Sequence, residues 1–117
     1  MKKIILTVLV ANGLLFANDG EQLVKNNGCM ECHNIMGKKL APAFMGTAKK
    51  NIKWHREDAQ EIMMKSIKNG SKGKYWNFKD KQMPAYSHIS NEDLETITSW
   101  ILKEYSKNKI LKCQGKQ

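Results

Sequence analysis

Five consecutive residues, Cys29-Met30-Glu31-Cys32-His33, carry the clearest chemistry in the chain. Two thiols three positions apart, followed at once by an imidazole, form the C-x-x-C-H pattern of haem c attachment. Each thiol can add across one vinyl group of a single porphyrin. The next residue is then carried beneath the iron, where an imidazole nitrogen can bind axially. Three other readings compete. A disulfide-exchange pair calls for a helix N-terminus in a thioredoxin-like β/α frame, and no such strands are legible. A structural zinc site calls for a fourth ligand, usually from a second C-x-x-C or a paired histidine. A plain Cys29–Cys32 disulfide leaves the adjacent histidine unexplained. One covalently bound haem c accounts for all five residues.

Iron held by His33 needs a sixth ligand from elsewhere. Met83 is the favoured candidate: it lies in a loop, and Pro84 biases it toward an extended backbone from which its side chain can project. His88 is its main rival, because neutral imidazole also binds iron, and His55 is a third option. Met63 falls on an apolar helical stripe and reads as core, while Met30, Met36 and Met45 lie too near the attachment turn. Pro42 offers a carbonyl free of other duties. Histidine ligands usually donate their second ring N–H to such an oxygen.

The elements around these residues read as helical. A short helix is expected from Asp19 to Asn27, closed by Gly28. From Glu57 to Asn69 apolar residues recur at helical spacing, with acids early, lysines late and Asn69-Gly70 as a stop. Ser90 with Asp93 makes a capping-box-like start to a last helix, whose face runs through Leu94, Ile97, Trp100 or Ile101, and Tyr105. Loops are expected over 34–51 and 70–89. Such long loops make sense in a small domain if they wrap a ligand. Residues 106–117 read as a basic tail that frays.

The chain has 117 residues and a net charge of +9 at pH 7. Its first 17 residues resemble an export signal: Lys2 and Lys3, then an apolar run, then Ala17 before Asn18-Asp19-Gly20. An uncleaved anchor is the alternative, although the run is short for a membrane span. Removing the leader leaves eighteen basic against eleven acidic residues, a net +7. Export places the remainder in the periplasm and argues against nucleic acid, as does the lack of aromatics among the lysines. Acidic protein partners fit the charge best, with peripheral membrane contact as a second option. Cys113 is left over after haem attachment, and a monomer is expected.

Together these residues resemble the class I c-type cytochromes, in particular the small bacterial monohaem group that includes cytochromes c-551 and c-553. The resemblance is carried by Gly28-Cys29-Met30-Glu31-Cys32-His33, Ala41-Pro42-Ala43-Phe44, Ile67-Lys68-Asn69-Gly70-Ser71, Tyr75-Trp76, Gln82-Met83-Pro84-Ala85-Tyr86 and the Leu94 to Tyr105 helix. It implies an all-α cytochrome c fold over 18–105, with three to five short helices around one haem and terminal helices crossing near Gly28. It implies His33 and Met83 as axial ligands, Pro42 as the carbonyl partner of His33, and Trp76 beside a haem propionate. The function implied is single-electron transfer between redox proteins rather than enzymatic turnover. Two alternatives stand beside it: a haem-bearing subunit of a larger periplasmic oxidoreductase, and a haem enzyme or gas sensor with a labile sixth ligand.

Overall fold

The computed structural model describes residues 19–115. The leader expected over 1–17 and the final two residues of the tail lie outside them. Four α-helices dominate the described residues: α1 (Asp19–Asn26), α2 (Phe44–His55), α3 (Ala59–Asn69) and α4 (Asn91–Gln114). Helices α1, α2 and α3 all pack against α4. Their shared core holds Val24, Phe44, Ala48, Met63, Leu94, Ile97, Trp100 and Ile101. None of the described helices is long and apolar enough to cross a membrane.

The start of α4 follows its local signals. The Ser90 hydroxyl accepts from the Asp93 backbone N–H at 3.1 Å, satisfying one donor that the first turn leaves unpaired. Helix α3 ends where Gly70 adopts φ 76° and ψ 170°, a conformation open in practice only to glycine.

Three expectations are corrected. The loop expected over 34–51 contains the first eight of the twelve residues of α2. Its buried stripe is Phe44, Ala48 and Asn51, which includes one large apolar side chain and one amide, so hydrophobic periodicity is missing from the sequence. The helix crossing lies at Gly20 rather than Gly28. A Cβ on Gly20 would collide with Trp100 Cβ, so α1 and α4 touch there backbone to side-chain stem. Gly28 instead takes φ 71°, the left-handed turn that leads from α1 into the cysteine segment.

The third correction concerns the C-terminal segment. Helix α4 does not end near Tyr105 but continues to Gln114, over most of the expected tail. No glycine or proline interrupts 106–114, and Lys, Leu and Gln are good helix formers. Lys107 pairs with Glu104 at 3.0 Å, and Asn108 Nδ2 donates to the Glu104 carbonyl at 2.8 Å.

Candidate functional site

Between α2, α3, α4 and the loops lies a cavity of about 280 Å³. Cys29, Cys32, His33, Pro42 and Met83 all line it. Five of the residues singled out by sequence are thus brought to one place.

The cysteine segment is set by the turn after Gly28. Cys29–Glu31 forms a 3-10 turn, and the His33 N–H donates back to the Cys29 carbonyl at 2.9 Å. Cys29 is buried and Cys32 exposed, and both are free thiols. Burial pushes the Cys29 thiol above its usual range. Past the turn the chain is fastened again: Ala41 N–H donates to the Cys32 carbonyl at 3.0 Å, and Phe44 N–H to the Asn34 carbonyl at 2.9 Å.

These bonds place Pro42 against His33. The Nδ1 of His33 lies 2.6 Å from the Pro42 carbonyl oxygen. A carbonyl only accepts, so Nδ1 carries the proton and Nε2 is left as the lone-pair nitrogen. Burial lowers the His33 pKa, against the opposing pull of this hydrogen bond, and so favours the neutral ring. On one side the ring stacks on Phe44, with centroids 5.0 Å apart and planes 18° from parallel.

Met83 reaches the cavity from a short hairpin whose two strands are joined through 73–81. Strands β1 (Ser71–Lys72) and β2 (Gln82–Met83) pair antiparallel, with Ser71 opposite Met83. His88 is exposed and packs at an angle against Tyr86, and His55 lies against Trp54; neither lines the cavity. Of the three sixth-ligand candidates, only Met83 is there.

Trp76 is not on the cavity wall. It is 77% exposed, and its neighbour Tyr75 takes the wall position instead. Tyr75 is held there by stacking on Trp54 at 5.9 Å and by accepting from Asn51 Nδ2 at 2.9 Å. Burial raises its phenol pKa, so it stays neutral. Sequence reasoning also passed over Asn51, Ser66 and Lys74, which join Tyr75 on this wall. The one signal in the sequence was weak, the spacing of Asn51 from Phe44 and Ala48 on one helical face; its complete burial shows only in the structure.

The wall fits a flat apolar ring with polar edges. Phe44, Met63, Ile67, Ile97 and Ile101 supply apolar surface, while Val24 packs in the core away from the cavity. The donor set fits haem c as well: two free thiols, a neutral imidazole with Nε2 unprotonated, and a thioether on a separate segment.

Comparison with known proteins agrees. A family model described as cytochrome c matches residues 17–104. Cytochrome c-552 of Hydrogenobacter thermophilus is 36% identical over 103 residues, covering 87% of this chain and 97% of that protein. Cytochrome c-551 of Pseudomonas aeruginosa is 33% identical over 109 residues, covering 89% and 99%. Among solved structures, the crystal structure of wild-type Nitrosomonas europaea cytochrome c552 superposes with a TM-score of 0.62 at 30% identity, covering 71% of this chain and 96% of that one. The chain belongs to the cytochrome c family, as a small class I member with one covalently bound haem c.

Proposed function

We propose that this protein is an exported carrier that moves single electrons between redox proteins, with Cys29 and Cys32 as the haem anchors and His33 and Met83 as the axial ligands. The observation that carries the reading is the His33–Pro42 hydrogen bond in a cavity that Met83 also lines. When bound, haem c supplies the Fe(III)/Fe(II) couple.

The chain's own residues set how that couple behaves. Pro42 holds the His33 tautomer and orientation, and Phe44 holds the ring plane. His33 and Met83 together would hold the iron from two segments of the chain and leave dioxygen or peroxide no place to bind, which suits a carrier rather than an oxidase. Met83 as a thioether ligand in company with the His33 imidazole would raise the reduction potential of the bound group. The apolar wall of Phe44, Met63, Ile97 and Ile101 disfavours the more highly charged ferric state and acts in the same direction.

Cys32 is exposed at the cavity rim, and the nearby Leu40 is 59% exposed. Lys39 is exposed and reaches the same segment, donating to the Met30 carbonyl at 3.2 Å, and Lys38 before it is exposed too. The net positive charge would steer an acidic partner toward this rim, giving brief, salt-sensitive encounters. A single polypeptide suffices for this role. The leader over 1–17 supports a periplasmic location, where thioether assembly takes place.

The test is mass spectrometry and optical spectroscopy of protein matured in a host that assembles c-type cytochromes. The mature chain is expected to lack 1–17 and to gain the mass of one haem. The ferric form is expected to show the weak red charge-transfer band of methionine–iron ligation, and Met83→Ala to abolish it. A mature mass equal to the polypeptide alone, or a band that survives Met83→Ala, overturns the reading.

A further inference from the structure

Lys74 is a charge on the cavity wall that haem ligation does not explain. It is half-buried, and its ammonium donates to Asn51 Oδ1 at 2.9 Å and to Ser66 Oγ at 3.1 Å. Both acceptors are neutral. No Asp or Glu among the described residues forms an ion pair with it, whereas Lys25, Lys65 and Lys107 each pair with a nearby glutamate. Desolvation pulls the Lys74 ammonium below its ordinary pKa, as expected of a cation lacking its counter-charge. Buried charges are ordinarily paired, because lost hydration must be offset.

The frame behind Lys74 comes from three parts of the chain. Asn51, on α2, is fully buried, and its Nδ2 donates to the Thr47 carbonyl at 2.8 Å and to the Tyr75 hydroxyl at 2.9 Å. That leaves Asn51 Oδ1 for Lys74. Ser66 stands on α3, and its own hydroxyl proton goes to the Ile62 carbonyl at 2.9 Å, so its lone pair faces the ammonium. Two of the three ammonium hydrogens are thereby taken, and one remains.

We infer that Lys74 is the counter-charge for a carboxylate of the haem, positioned by Asn51 and Ser66, and that this pairing keeps the reduction potential independent of pH. The inference rests on haem occupying this cavity. Haem carries two carboxylates along one edge. A partly buried carboxylate without a cation takes up a proton nearer neutral pH. Ferric iron favours the ionised carboxylate more than ferrous iron does, so an unpaired carboxylate makes the potential fall as pH rises. A fixed ammonium keeps the carboxylate ionised in both oxidation states. The groups that face Lys74 are Asn51 from α2, Ser66 from α3 and the Tyr75 ring, whose centroid lies 5.9 Å from the ammonium. Lys50 lies over the Tyr75 ring, and Lys81 lines the same cavity. Burial keeps the phenol neutral throughout, and both lysines reinforce the ionised carboxylate.

The experiment is potentiometric titration of the haem-loaded wild type, Lys74→Gln and Lys74→Arg from about pH 5 to about pH 9, above the ordinary carboxyl value. Wild type and Lys74→Arg are expected to hold a constant midpoint. Lys74→Gln is expected to fall with rising pH and to lie below wild type at the alkaline end, because a nearby positive charge favours the reduced state. A Lys74→Gln midpoint that tracks wild type at every pH overturns the inference. Should Lys74→Gln fail to assemble, wild type and Lys74→Arg decide. A constant wild-type midpoint with assembly rescued in Lys74→Arg supports the pairing, and a wild-type midpoint that slopes, or an Arg variant that also fails, overturns it. Failure of the haem-site reading is seen separately, as a wild type lacking the added mass or the methionine band.

Discussion

A methyl group on Gly70 would stand 2.7 Å from the Met83 carbonyl oxygen. That oxygen belongs to backbone and cannot swing aside. The Ala85 N–H, at 3.1 Å from the same point, closes the other side. Gly70 therefore does two things at once: it ends α3 and lets the methionine segment lie directly on that end. Gly70→Ala is expected to lose about 1–3 kcal/mol from the backbone conformation alone, with the contact adding to it. The readout specific to Met83 is the red charge-transfer band, which should disappear at a lower temperature than in wild type. A variant with normal band stability would show that the segment shifts without strain.

Phe44 meets both His33 and the core, stacking on the imidazole and meeting Trp100 edge-on at 6.0 Å. Only 5% of it is exposed. Phe44→Ala should cost about 3–5 kcal/mol of unfolding free energy, a large share of what a small domain has. Phe44→Leu keeps most of the volume but loses the flat face, so it should cost about 1–2 kcal/mol. Denaturant unfolding of the haem-loaded protein reads both. Equal losses in the two variants would mean that the stack itself, not the volume, dominates.

Gly20 and Gly28 separate two reasons for glycine. At Gly20, alanine gains about 1 kcal/mol of helix propensity but meets the Trp100 stem, and relieving that contact requires α1 to move off α4. Overpacking of this kind costs about 1–3 kcal/mol or more. At Gly28 there is room, since a Cβ would find only the Glu31 side chain at 3.6 Å; the cost is the left-handed φ, about 1 kcal/mol. Gly20→Ala is thus expected to destabilise more than Gly28→Ala, with thermal unfolding as the measure. The reverse order would return the tight crossing to Gly28.

What could be read in advance follows from how local each signal is. The α4 start needed only Ser90 and Asp93, three residues apart, and was legible. So was the attachment turn, whose five residues are contiguous. Helix α2 was not, because its buried stripe spends a position on Asn51, whose purpose appears only when Lys74 and Tyr75 arrive from 23 and 24 residues away. The same distance hid the choice between Tyr75 and Trp76. Both are aromatic, and only the stack on Trp54 and the Asn51 hydrogen bond decide which one faces the cavity. Strands β1 and β2, at two residues each, are too short to show alternation.

The far end of α4 invites a prediction about independence. Asn108 still touches the body, donating to Met45 Sδ at 3.5 Å, but Ile110 and Leu111 are 58% and 64% exposed and Cys113 lies open. A helix end with neither buried stripe nor partner is held only by its own backbone bonds. Deleting 109–117 should therefore change unfolding free energy by no more than about 0.5 kcal/mol and leave the spectrum unaltered. Amide exchange should be fast over 109–115 and slow over Leu94–Ile101, whose side chains fill the core. A loss above about 1 kcal/mol on deletion would mean that Ile110 and Leu111 find a surface to cover. Running the intact protein on a non-reducing gel would then show whether that surface is a second copy joined through Cys113.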